Sequence, residues 1–163
     1  MTTTLTYDGI TYVVPCGGAK LDQPAAARDL YVGQMFRHTL TNVERLAAID
    51  RVEGRPARVL ILSARHGLVD PDQTLDPYDL SIDDPGAVTA ATLTGQALAR
   101  GIDWPAPVYG VLPRAYQARL DEALRPLDVY VQDVYEACAG IGEQRHTNVN
   151  IAAAWADLCE VGS

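Results

Sequence analysis

Positive charge is scarce in this sequence, and so are cysteine, histidine and long apolar runs. Thirteen Lys and Arg stand against twenty-one Asp and Glu, a formal net charge of −8. Broad coating of nucleic acid depends on many Lys and Arg contacts to phosphates, so extended duplex binding is not expected, whereas a local basic pocket remains open. No stretch approaches the ~20 apolar residues that a membrane helix needs. The first residues, MTTTLTYDG, carry neither the basic start nor the apolar run of a signal peptide. A cytoplasmic, soluble protein with no membrane partner is the expectation. Cys16, Cys138 and Cys159 lie far apart with no Cys-x-x-Cys pair. Neither a disulfide framework nor a zinc knuckle is indicated, and free thiols fit a reducing compartment. His38, His66 and His146 form no i, i+4 pair. A metal site would need long-range assembly, and neither metal nor cofactor is expected.

What the chain does have is apolar content, 48% of 163 residues, enough for a full core in one domain spanning residues 1–163. Thr11 to Pro15 reads as a first strand, ended by Pro15 and the Gly17–Gly18 pair. Phe36, Leu40, Val43 and Ala47 recur at helical spacing and make one apolar face. Arg58 to Ser63 is a continuous apolar run, as suits a strand covered on both faces. Residues 64–84, rich in Gly, Pro and Asp, read as a long ordered loop, and such loops are usually functional. Asp84–Pro85 predicts a helix start and Gly101 its stop. Val108 to Leu112 is a third strand and Pro113 opens a helix carrying Tyr116, Leu120, Ala123 and Leu124. Leu127 to Val131 is a fourth strand, and Ile151, Trp155 and Leu158 mark a last helix. Alternating strands and helices predict a single α/β domain, about four mainly parallel strands with helices on both faces.

In open α/β sheets the ligand lies beyond the carboxyl ends of the strands. That rule selects Cys16, Gly17, Gly18 and Lys20 after the first strand. It selects Ser63, Arg65 and His66 after the second, with the loop to Asp79 close behind. After the third come Pro113, Arg114 and Tyr116; after the fourth come Tyr135, Glu136 and the Gly140–Ile141–Gly142 turn. Each has a plainer reading beside the functional one. Cys16 reads as a small buried residue, or as a reactive thiol whose pKa Lys20 or glycine amides lower. The Gly17–Gly18 pair makes a tight turn, or lets a phosphate approach the backbone. Lys20 is a surface lysine or an anion partner. His66 makes a structural hydrogen bond or transfers a proton. His38, inside a helix, and His146, beside a helix start, read as structural. Asp76–Pro77–Tyr78–Asp79 is a β-turn, or a carboxylate for base work beside a ring that stacks on a flat ligand. Arg114, at a helix start, suits an anion.

Four pieces in order carry a family resemblance. They are Pro15 to Asp22, Ala27 to Phe36, Leu62 to Val69, and Leu75 to Asp79, covering residues 13–82. The set resembles a domain-of-unknown-function family of short bacterial and phage proteins. More distantly it resembles the YaaA-type peroxide-stress proteins, which share a start near Ala19–Asp22, a Tyr31-x-Gly33 step, a Ser63 to Gly67–Leu68 segment and a Pro77–Tyr78 pair. The YaaA resemblance implies a role in protecting DNA under oxidative stress and a fold like that of DNA glycosylases. It also implies a pocket lined by Lys20, Tyr31, Ser63, Gly67, Pro77 and Tyr78. This chain is shorter than those proteins and acidic where a duplex-binding cleft is basic.

The leading expectation is therefore an enzyme directed at a nucleotide, nucleobase or short single-stranded nucleic acid, acting at an N-glycosidic bond. Tyr31 or Tyr78 would stack on the base. Asp76 or Asp79 would orient water or stabilise a cationic sugar, and His66 would protonate the departing base. Lys20, Arg65 and Arg114 would hold phosphate, with Glu136 a reserve carboxylate. The alternative is a non-enzymatic nucleotide-sensing or protein-binding module of a stress or defence system. A third reading makes Cys16 a redox or nucleophilic centre.

Overall fold

The computed structural model describes residues 7–137 and 149–162. Its strands and helices follow in the order β1 (Ile10–Pro15), β2 (Ala25–Ala26), α1 (Ala27–Leu30), α2 (Gln34–Val52), β3 (Ala57–Ser63), β4 (Gly67–Val69), β5 (Thr74–Leu75), α3 (Ala90–Ala99), β6 (Val108–Gly110), α4 (Arg114–Leu124), β7 (Val131–Asp133), α5 (Val134–Ala137) and α6 (Val149–Gly162). The main sheet runs β4-β3-β1-β6-β7. β1 pairs in parallel with β3 on one side and β6 on the other, β6 pairs in parallel with β7, and β4 closes the far edge antiparallel to β3. The chain is thus α/β, with the mostly parallel sheet between helical layers.

The period-2 alternation of strand side chains decides which core each residue joins. Tyr12 and Val14 of β1, with Val59 and Ile61 of β3, face the layer built by Phe36, Leu40, Val43 and Leu46 of α2 and Trp155 and Leu158 of α6. Val13, Leu60 and Leu62 face the opposite layer, Leu93 and Ala97 of α3 with Leu120, Ala123 and Leu124 of α4. Burial on both faces explains why β3 is apolar without interruption from Val59 to Leu62. Leu60, Leu93 and Leu120 are completely buried, and each such side chain contributes about 1.5–3 kcal/mol.

Several elements differ from the sequence-based reading, each for a local reason. The stretch 64–84 is ordered but contains β4 and β5, and β5 pairs with β2 in a small second sheet. α3 begins at Ala90, not at Asp84–Pro85, with Thr89 capping it through the Thr92 amide at 3.2 Å. Gly86 takes φ +91°, outside the helical region, so Asp84 instead closes a turn by accepting from the Ser81 amide at 2.7 Å. The fourth strand is displaced from Leu127–Val131 to Val131–Asp133 because a 3₁₀ turn occupies Arg125–Leu127 and Asp128 is left-handed at φ +57°. Cys16 is a free thiol, whereas Cys159 is disulfide-bonded. Spacing along the chain carried no information on that bond, and the reading of all three cysteines as free thiols is corrected. No helix of the described residues is long and apolar enough to cross a membrane.

The topology creates one special place. From β1 the chain crosses through α2 on one face to β3; from β6 it crosses through α4 on the other face to β7. Connections leaving two neighbouring strands in opposite directions open a crevice between them at their carboxyl ends.

Candidate functional site

The carboxyl end of β1 leads directly into Cys16, whose amide donates to the Leu62 carbonyl at 3.1 Å and so extends the β1–β3 ladder by one step. Its Sγ lies 3.3 Å from the Tyr116 Oη of α4. Segment 76–80 is drawn to the same place by the anchored loop before it. The Ala27 and Arg28 amides donate to the Gln73 and Pro71 carbonyls, and the Arg28 guanidinium bridges Asp72 (2.8 Å) and Glu44 (3.1 Å). A further bridge joins Lys20 to Tyr31.

These constraints gather polar groups from distant parts of the chain. Tyr78 Oη lies 2.7 Å from Tyr31 Oη and 2.8 Å from Ser63 Oγ. Ser63, wholly buried, also accepts from the amides of Arg65 (3.3 Å) and His66 (3.0 Å). A serine hydroxyl has two acceptor sites and one proton. Both acceptor sites are used by amides, so the Ser63 proton is donated to Tyr78. The Lys20 ammonium sits 4.3 Å from the Tyr78 ring centroid and 5.8 Å from that of Tyr31, and it donates to the Gly18 carbonyl at 3.2 Å. The His66 ring meets the Tyr78 ring edge-on, centroids 5.4 Å apart, with Nε2 3.4 Å from the Asp76 carbonyl oxygen.

Burial sets the protonation of this cluster, because desolvation disfavours the charged form. It pushes the Tyr31 hydroxyl up to about 12. The Tyr78 and Tyr116 hydroxyls move the same way, through burial first and then the neighbouring Cys16. All three phenols are neutral hydrogen-bonding groups at physiological pH.

Beside the cluster, at the point where β1 and β6 diverge, lies a crevice of about 620 Å³. That volume falls within the range of small-ligand sites. Pro15, Leu112 and Pro113 form strand-end walls, Met35 and Thr39 come from α2, and Arg114, Gln117 and Asp121 descend one face of α4 opposite Asp133 and Tyr135. Burial raises the pKa of Asp121, with Asp133 adding to the effect and a hydrogen bond from Gln117 opposing it.

The structure therefore unites Cys16, Lys20, Tyr31, Ser63, His66, Tyr78 and Tyr116, and places Arg114 in the adjoining crevice. Tyr31 is fully buried, so its ring is part of the wall and presents no open face. Gly17 packs where an added Cβ would meet Phe36 Cβ at 3.4 Å, whereas Gly18 faces open space. Arg65 is exposed beside the cluster. The Asp76 and Asp79 carboxylates are exposed and make no hydrogen bond among the described residues. Gly67, at φ +78°, serves the β3–β4 turn, its Cα facing Gln96. Glu136 is exposed on α5, away from the crevice lining. His38 is exposed and bonded to Asn42 on its own helix. The Gly140–Ile141–Gly142 turn and His146 lie outside the described residues.

The chain belongs to DUF6884, a family of unknown function. Its profile matches residues 11–147, a span that includes every residue of the cluster and the crevice. No curated protein and no solved structure matches the chain. In this DUF6884 member, sequence reasoning missed Thr39, Gln117, Asp121 and Asp133. Arg114, Gln117 and Asp121 recur at i, i+3 and i+7, a polar stripe at a strand mouth that helical spacing alone makes visible. Among the described residues, no group of three His, Cys, Asp or Glu could hold a metal ion.

Proposed function

We propose that this protein is a nucleotide- or nucleobase-directed enzyme that cleaves an N-glycosidic bond. One observation carries the reading: neutral hydroxyl donors and a thiol converge beneath an ammonium at the mouths of the two central strands, next to a crevice of nucleoside size. The resemblance to YaaA-type proteins, with their glycosylase-like fold and peroxide-stress role, supports the same class.

The reaction needs a proton for the departing base and water for the sugar. The C1′–N bond breaks with its electron pair going to the base nitrogen, which takes a proton from His66. A water oxygen bonds to C1′ and gives its proton to the carboxylate of Asp76 or Asp79. The Tyr78 and Tyr116 hydroxyls offer hydrogen bonds without adding negative charge, and Lys20, Arg65 and Arg114 hold phosphate. Tyr78, half-buried, and Tyr135 of the crevice are the rings that remain to stack on a base.

A screen of nucleosides, nucleotides and short single strands by thermal shift, followed by chromatography for free base, tests this. Wild-type protein releases base. His66→Ala loses roughly 10²–10⁴-fold in rate, the worth of a general acid, and keeps ligand stabilisation. Absence of base release from every substrate overturns the reading. The exposed, unoriented carboxylates of Asp76 and Asp79 favour a second reading, a non-enzymatic nucleotide sensor, which predicts stabilisation without turnover.

A further inference from the structure

The crevice contains two carboxylates whose oxygens are unequally engaged. Asp133 Oδ1 accepts the amides of Tyr135 (3.0 Å) and Glu136 (3.4 Å). Asp121 Oδ1 is 3.4 Å from Gln117 Nε2, and that same nitrogen donates to the Val131 carbonyl at 3.3 Å. In each case Oδ2 makes no hydrogen bond among the described residues. The crevice thus presents two single acceptor oxygens from two different residues, with the Arg114 guanidinium at the start of α4 on its lining. Gln117, 7% exposed, is held on the crevice wall by these two bonds, and its Oε1 has no partner.

This pattern distinguishes among nucleotide parts. An amidine edge of a base binds best to both oxygens of one carboxylate, and Oδ1 of Asp133 is already committed to two amides. A cis-diol has two neighbouring hydroxyls, each able to donate once to a separate oxygen. Carboxylate recognition of a ribose hydroxyl at the switch point of a parallel sheet is chemically the same arrangement. An anionic group then lies toward Arg114, at the start of α4.

We infer that the crevice binds the ribose of a 5′-phosphorylated ribonucleotide, its 2′,3′-diol held by Asp121 and Asp133 and its phosphate by Arg114. The inference rests on the nucleotide reading above and narrows it to ribo substrates. It makes the enzyme selective against 2′-deoxy sugars, and so against DNA.

Calorimetric titration with the four ribonucleoside 5′-monophosphates, their 2′-deoxy counterparts and ribose 5-phosphate tests it without requiring turnover. At least one ribonucleotide binds, and its 2′-deoxy form binds at least about tenfold more weakly, the worth of one hydrogen bond to a charged group. Asp121→Ala weakens binding of the ribonucleotide and narrows its lead over the 2′-deoxy form. Arg114→Ala weakens both forms alike. Equal affinity for ribo and deoxy forms overturns the inference even if base release is observed. Binding of none of these probes overturns it as well. Ribo-selective binding without base release sustains the inference and sinks the enzymatic reading instead.

Discussion

Ser63→Ala removes one oxygen that makes three hydrogen bonds: two accepted from the Arg65 and His66 amides, one donated to Tyr78. A net hydrogen bond contributes about 1 kcal/mol, and leaving a buried partner unpaired costs ~1–3 kcal/mol. Arg65 is exposed and His66 half-buried, so water recovers part of the loss at their amides. Tyr78 Oη, deeper in the cluster, recovers less. The expected destabilisation is about 2 kcal/mol, which lowers Tm by roughly 4–8 °C for a chain of this size. Urea unfolding of Ser63→Ala, Tyr78→Phe and the double variant isolates the shared bond. The cycle shows a coupling of about 1 kcal/mol, and the double variant is correspondingly less destabilised than the sum of the singles. Additivity within ~0.3 kcal/mol would refute the directed Ser63-to-Tyr78 bond, and with it the account of how the cluster is held.

The buried phenols make stability fall in alkali. Tyr31 titrates near 12 in the fold against 10.0 for an ordinary tyrosine, so the unfolded chain loses its proton first and rising pH favours unfolding. Stability that is complete below pH 10 is lost between about 10 and 12, and Tyr31→Phe flattens that decline in urea titrations across this range. Gly67→Ala places a Cβ 2.1 Å from Gln96 Oε1 at a φ of +78°, and it breaks the Gln96 bonds to the Leu68 amide and the His66 carbonyl. A loss of about 2–4 kcal/mol follows by calorimetry, more than left-handed strain alone. Leu60→Ala, at a fully buried position in the central sheet, costs about 2–5 kcal/mol in urea unfolding without altering the hydroxyl cluster.

The layers were legible because they depend on periodicity. The alternation in β1, the unbroken run of β3 and the helical spacing of Phe36, Leu40, Val43 and Ala47 all report burial directly. Boundaries set by a single backbone angle were not. Asp84–Pro85 is as good a turn as a helix start, and only the left-handed Gly86 decides between them. The left-handed Asp128 likewise delays β7 by several residues. The rule that ligands lie at strand carboxyl ends found Cys16, Lys20, Ser63 and Tyr116, which come from three different strand mouths. It passed over Asp133, which lies between the expected strand end at Val131 and the Tyr135–Glu136 pair and proves to be the last residue of β7. Nor does spacing show that Tyr31 is buried while Tyr78 is partly open, a difference made by α2 packing over Tyr31 through Phe36 at 5.0 Å between ring centroids.

The proposed reaction breaks the C1′–N bond of a nucleotide. Incubating the nucleotide panel with the protein in ¹⁸O-labelled water and analysing products by mass spectrometry addresses that bond itself. The account predicts free, unlabelled base together with sugar phosphate carrying one ¹⁸O at C1, both formed at least about 10²-fold more slowly by His66→Ala. Label in the phosphate or on the base ring, or substrate recovered intact from every incubation, would contradict it.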